Sequence, residues 1–183
     1  MQEEARKLVH LGFGAAIAGA IFGFSREQAI LLLAGSLLPG LILAELVRNG
    51  HRVPLISFLV DRLEREGEFP GKGAISFVVS SLFCVTFFSS AVAAAGVLSL
   101  AVLDSVSALA GLRFGKNRLN GRKTLEGFFA GVAANSLVLC AFLDPARAIL
   151  VSLVAGAVEV AAPLDDNLLI PPAACICLTL VGI

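Results

Sequence analysis

The sequence predicts an all-α protein, a polytopic transmembrane helical bundle of about seven spans with its active site on the cytoplasmic side. Three observations carry that prediction. Hydrophobic residues make up 57% of the 183 residues and charged residues only 15%, against roughly 25% charged in soluble chains. Mean hydropathy is +0.91. The apolar residues fall in runs of about 20, the length of a membrane helix, joined by short connections.

The length suits one domain, residues 1–183. With 14 basic residues against 14 acidic ones, the chain lacks the charge footprint of a nucleic-acid-binding protein. Trp and Tyr are absent, so anchoring at the interface falls to Phe, Arg and Lys. Cys84, Cys140, Cys175 and Cys177 all lie in apolar stretches. Cys175 and Cys177 point about 200° apart around a helix and do not converge on a metal, so all four are expected to be buried, reduced packing residues.

The elements follow in order. The first span is expected at about 8–24, after Arg6, Lys7 and His10; it has no small-residue cleavage site and more spans follow, so it reads as a span and not a cleaved leader. The second, about 27–47, contains Pro39-Gly40, a kink signal. Residues 48–72 form a polar cytoplasmic loop. Within it, Val53–Glu66 places apolar residues at 55, 56, 59, 60 and 63, with Arg62, Arg65 and Glu66 mostly opposite. That spacing fits an amphipathic helix on the inner leaflet or an ordinary packed loop helix equally well. Further spans are expected at about 73–89, 91–112, 125–143, 146–162 and 167–183, several of them at the short end for a span, so tilted or partly interfacial helices are expected.

Charge distribution orients this layout. With the N-terminus inside, the inner segments hold twelve of the 14 basic residues, and the outer loops hold only Arg26 and Arg147. That bias is the positive-inside rule. It places the N-terminus and the polar clusters on the cytoplasmic side of the inner membrane.

The chemistry concentrates in three clusters. Asp104 lies inside the fourth span, about 12 Å from its cytoplasmic end, beside Ser105 and Ser107. A desolvated acid there needs a partner or a function. The same helix runs into a basic loop, 113–124, with Gly111, Gly115, Lys116, Gly121, Arg122 and Lys123 in or beside it. Glycines let backbone amides approach a phosphate and cations neutralise it, although cytoplasmic loops are basic in any case. Thr124 and Glu126 open the fifth helix, where they fit either capping or phosphate binding; Gly127 and Gly131, four apart, fit close helix packing. Glu159, Asp165, Asp166 and Asn167 surround the last turn, and Pro171-Pro172 are expected to interrupt the final helix. Carboxylates and an amide oxygen suit a hard cation such as Mg²⁺ holding a nucleotide phosphate. One of Asp165 and Asp166 is expected to cap the helix. Gly67–Gly73 is one residue short of a Walker A loop and lacks its Ser/Thr.

Taken in order, these pieces resemble the CTP-dependent lipid alcohol kinases, the dolichol, polyprenol and phytol kinase family related to CDP-diacylglycerol synthase. The pieces are R-K-L-V-H at Arg6–His10, F-P-G-K-G at 69–73 with Lys72, D-x-x-x-A-x-x-G-x-x-x-G-K from Asp104 to Lys116, R-K-T-L-E-G at 122–127, and E-x-x-x-x-x-D-D-N-x-x-I-P from Glu159 to Pro171. The resemblance covers most of the chain. It departs at Leu103-Asp104, where such proteins usually carry Gly-Asp.

The resemblance implies transfer of the γ-phosphate of CTP to the hydroxyl of a membrane lipid alcohol, a polyprenol or shorter isoprenoid alcohol, with Mg²⁺ as cofactor. Asp104, Glu159 and Asp166 would hold the metal; Lys116, Arg122 and Lys123 would neutralise phosphates; Gly111, Gly115, Gly121, Thr124 and Glu126 would cradle them; Asn167 would bind nucleotide or metal; and Asp165 would take the hydroxyl proton. Arg6, Lys7, His10 and Lys72 belong to the motifs without an assigned role. The expected partners are the lipid alcohol, CTP and the bilayer; a homo-oligomer is compatible with the sequence. Two other CTP reactions share this chemistry, a cytidylyltransferase making a CDP-lipid and a CTP-dependent diacylglycerol kinase. A transporter with buried acids is the third class, and it predicts acids spread through the membrane depth.

Overall fold

A computed structural model describes residues 2–64, 67, 69–121, 123–161 and 165–182, and Arg65, Glu66 and Arg122 lie outside the described residues. The protein is all-helical apart from one short β-ribbon. In order, the helices are α1 (Gln2–Gly23), α2 (Arg26–Arg48), α3 (Pro54–Leu63), α4 (Lys72–Phe87) and α5 (Ser90–Phe114). The ribbon of β1 (Arg118–Asn120) and β2 (Lys123–Thr124) follows, then α6 (Leu125–Leu139), α7 (Pro145–Ala161) and α8 (Asp166–Leu180).

Three helices among the described residues, in α1, α2 and α5, are long and apolar enough to cross a membrane. At 25 residues, α5 is about 37 Å long, more than the roughly 30 Å of a hydrocarbon core. The expectation of seven spans is not met by length. The helices α4, α6, α7 and α8 have 16, 15, 17 and 15 residues, or about 22–26 Å. Apolar runs that read as spans in the sequence are shortened here by caps and turns. The Cys140 C-cap ends α6 before Ala141–Leu143, and Ser89 caps α5 with its hydroxyl accepting from Val92 N.

The central helix is α5, which packs against α1, α4, α6, α7 and α8. Its most apolar window is 72% buried, against 11% for α2. Phe77, Leu100, Leu103, Leu139, Ile170 and Leu178 are fully buried around it. The outer helix α2 keeps Leu31, Leu38 and Ile42 exposed, the composition of a lipid-facing surface.

Small residues let α6 close on α5. A Cβ on Gly127 would stand 2.4 Å from the Ser107 carbonyl oxygen, and one on Gly131 would stand 2.9 Å from Ser107 Cβ. These two glycines are packing residues. Polar side chains add cross-helix bonds: Ser105 Oγ donates to Lys7 O at 3.0 Å and Asn135 Nδ2 to Ser152 Oγ at 3.0 Å.

Several expectations are corrected. The ribbon was not foreseen; Gly121, at φ 54°, supplies its tight turn. The last helix is not interrupted, since α8 runs through Pro171 and Pro172. Those prolines lack the N–H that would bond the carbonyls of Asn167 and Leu168, so the backbone stays helical while two acceptors are released near its start. Cys84, Cys175 and Cys177 are buried, but Cys140 is exposed, because it lies at the C-cap where α6 leaves the core. The 54–63 segment is helical and none of its residues is buried.

Candidate functional site

A cavity of about 750 Å³ opens among α1–α5, the ribbon, α7 and α8. Its lining combines two kinds of chemistry. Lys7, Asp104, Lys123, Glu159 and Asp166 form a charged cluster, and Phe13, Leu43, Ile56, Leu59, Val60 and Leu63 add apolar wall.

The charged cluster is assembled from distant parts of the chain. Asp104 projects from the middle of α5, where it is 5% exposed. Its Oδ2 accepts from Lys7 Nζ at 2.5 Å, with His10 Nε2 at 3.6 Å. Glu159, 3% exposed on α7, accepts from Ser107 Oγ at 2.5 Å and from Lys123 Nζ at 2.5 Å. Asp166, at the first turn of α8, accepts from the same ammonium at 2.8 Å, and Asp104 Oδ1 lies 3.7 Å from it. Carboxylate oxygens of Asp104, Glu159 and Asp166 all lie within 4.8 Å of one another. Three acids facing two lysines leave this cluster one negative charge in excess.

Lys123 is the keystone of the arrangement. The ribbon aims it inward: Leu125 N bonds Asn117 O at 2.8 Å, and Asn120 Nδ2 bonds Val160 O at 3.0 Å. Burial alone would lower its pKa, but the carboxylates of Glu159, Asp104 and Asp166 override that and leave it raised above the ordinary lysine value. The surrounding carboxylates thus favour the charged form of Lys123.

His10 stacks on Phe77 with ring centroids 4.9 Å apart, and its buried Nε2 has no hydrogen-bond partner. Lys72 opens α4 behind Gly71, whose φ of 74° makes the turn. Both Arg6 and Lys72 line the cavity, and Arg6 also pairs with Glu3.

The expected residues thus divide. Asp104, Glu159, Asp166, Lys123, Asp165 and Asn167 line one cavity, and so do Lys7 and His10. Asp165 is engaged as the N-cap of α8, its Oδ1 accepting from Asn167 N at 3.0 Å. Among the described residues, Gly111, Gly115, Lys116, Gly121, Thr124 and Glu126 do not line the cavity. Thr124 caps α6 by accepting from Gly127 N at 3.1 Å. Glu126 accepts from Asn117 Nδ2 at 2.8 Å and pins the loop. A Cβ on Gly115 would lie 2.7 Å from Thr124 Cγ2, and one on Gly111 would lie 2.9 Å from Thr124 Oγ1. These glycines admit the Thr124 side chain against α5. Lys116 is exposed, and Arg122 lies outside the described residues.

Sequence reasoning named Ser107 only as a neighbour of Asp104 and missed its bond to Glu159. A small hydroxyl one turn from an acid in an apolar helix was the available signal. The pairing of Lys7 with Asp104 was missed because the two are 97 residues apart.

The donor set fits a hard divalent cation chemically, because three carboxylates converge and two of them are buried. Lys123 now neutralises that point, so a dication there requires the ammonium to move toward an incoming anion.

Fold and site together define a class: an all-α protein with three helices of membrane-crossing length and an acid–lysine cluster in a cavity that also has apolar lining. An uncharacterized protein of Methanocaldococcus jannaschii, MJ1137, is 34% identical over 176 residues, covering 93% of this chain and 90% of that protein. The chain belongs to the family of that protein. No family model matches the chain, and no solved structure matches it.

Proposed function

We propose that the protein is an integral membrane phosphotransferase that moves the γ-phosphate of CTP to the hydroxyl of a lipid alcohol, most simply a polyprenol or shorter isoprenoid alcohol. The observation that carries this reading is the cavity itself. Asp104, Glu159 and Asp166 meet Lys7 and Lys123, and apolar side chains of α1, α2 and α3 line the same cavity. A charged donor and an apolar acceptor call for both kinds of lining. The order of motifs along the chain supports the same reading.

Phosphoryl transfer depends on positioning and charge neutralisation more than on covalent chemistry. Lys7 and Lys123 stand where they can neutralise triphosphate oxygens, with Arg6 and Lys72 also lining the cavity. A bound Mg²⁺ would be held by Asp104, Glu159 and Asp166 and would supply further neutralisation of the phosphates. Lys123 would then move from the acids to the phosphates. The hydroxyl oxygen attacks the γ-phosphorus, the bond to the β-phosphate breaks, and a carboxylate of the cluster takes the hydroxyl proton. CDP and the lipid monophosphate leave.

In this reading the basic segments and the N-terminus face the cytoplasm, and the four shorter helices complete the membrane bundle around α5 with local thinning of the bilayer. Acids gathered in one cavity, and not strung across the depth, disfavour the transporter class.

The test uses purified protein in detergent or nanodiscs with Mg²⁺ and CTP labelled separately at the α- and γ-phosphates, offered dolichol, geranylgeraniol, farnesol, phytol and diacylglycerol. Label from the γ position in the lipid product is the expected result. Label from the α position would make the protein a cytidylyltransferase, and transfer of neither label would remove the proposal.

A further inference from the structure

The short helix α3 offers its apolar face to the cavity and not to the core. Ile56, Leu59, Val60 and Leu63 all line the cavity and occupy an arc of about 100° on a helix of 3.6 residues per turn. Phe58, on the opposite side, is 56% exposed. No residue of α3 is buried. An amphipathic helix is normally stabilised by covering its apolar face, and here that face meets an open chamber. Phe13 of α1 and Leu43 of α2 line the same cavity. Both helices are of membrane-crossing length and mostly uncovered by protein.

We propose that the apolar lining of the cavity forms a groove for one long hydrocarbon chain, walled by α3 and lined by α1 and α2. The chain's polar end reaches Lys7 and Asp104. The occupant is an amphiphile with a single long tail and a small head group; that its head is a hydroxyl rests on the phosphotransfer reading. The charged cluster and the apolar side chains line one cavity, so the ligand that fits both has a polar terminus and an aliphatic body. The helix α3 packs only on α1 and α2 among its larger contacts, and the peripheral attachment suits a wall that admits a chain sideways from the bilayer.

The sequence provides a clean reporter, since it contains no Trp and no Tyr. Single-tryptophan variants Leu59→Trp and Ile56→Trp place the indole inside the groove, and Phe58→Trp places it on the outer face. Each is reconstituted in nanodiscs of ordinary phospholipid and titrated with a long-chain alcohol brominated in mid-tail. The expected result is saturable quenching at 59 and 56, reversed by the unbrominated alcohol, and only gradual, unsaturable quenching at 58. Equal, unsaturable quenching at all three positions overturns the groove. The γ-label assay, run on the same samples, separates the two ideas. Saturable quenching without transfer keeps the groove and removes the phosphotransfer reading, while transfer without saturable quenching at 56 or 59 removes the groove alone.

Discussion

Lys123 reaches from the ribbon to Glu159 on α7, Nζ to Oε1 at 2.5 Å, and by the same ammonium holds Asp166 at 2.8 Å. A single cation therefore ties the loop after α5 to two helices that follow it, at a point where an acid from α5 also converges.

Removing that cation leaves buried carboxylates facing one another. Lys123→Met is expected to destabilise the protein by about 3–5 kcal/mol, the usual cost of stripping one partner from a buried pair. Thermal unfolding in detergent reads this directly. The double variant Lys123→Met with Glu159→Gln should recover part of the loss, because it also removes a stranded charge. A melting temperature for Lys123→Met equal to the parent's would show that the cluster does not hold the fold.

The pH dependence of that difference has a definite sign. A lysine whose pKa is raised on folding contributes stability that is fully present below its unfolded value and is lost as pH rises through the folded one. The gap in stability between parent and Lys123→Met should therefore stay constant from about pH 7 to pH 9, below the ordinary lysine value of about 10.4. A gap that closes in that interval would mean that the ammonium is already losing its proton.

Asp104→Asn keeps the shape of the side chain and removes one negative charge from a cluster of three acids and two lysines, leaving it formally balanced. The variant should elute as a folded species. Phosphotransfer, if the protein performs it, should fall by at least about 100-fold, the order seen when one electrostatic stabiliser is removed from an active site. Near-parental transfer in the folded variant would exclude Asp104 from the chemistry.

The glycine contacts make a mechanical prediction. Gly127→Ala puts a Cβ 2.4 Å from the Ser107 carbonyl oxygen, and backbone has to shift, at about 1–3 kcal/mol. Ser107 also holds Glu159 at 2.5 Å, so ligand affinity should fall along with stability. Gly35→Ala on α2, with nothing within 4 Å, is the control and should be neutral or slightly stabilising. Comparable melting shifts for the two variants would contradict the close α5–α6 approach.

Thiol chemistry tests the fold without any ligand. Of the four cysteines, Cys140 is exposed and the others are buried. A maleimide should modify one thiol in the native protein and all four after denaturation in SDS, counted by intact mass. Rapid native labelling of Cys84 or Cys175 would place those helices wrongly.

Composition and hydropathy by themselves determined the helical class and the presence of acids that an apolar environment tolerates only with partners, but they put the number of spans at about seven where three helices among the described residues are of membrane-crossing length. The same period-based reading located the amphipathic segment that became α3, because apolar side chains repeat along a helix wherever that helix packs. Tertiary structure decided the rest. It paired Lys7 with Asp104, aimed Lys123 at three acids, and spent Gly111, Gly115, Thr124 and Glu126 on packing and capping. A sequence shows which groups must find partners, because desolvation cost is a property of each residue. Which partner each one finds depends on where helices far apart in the chain come to cross, and that is set by the sum of their packing contacts.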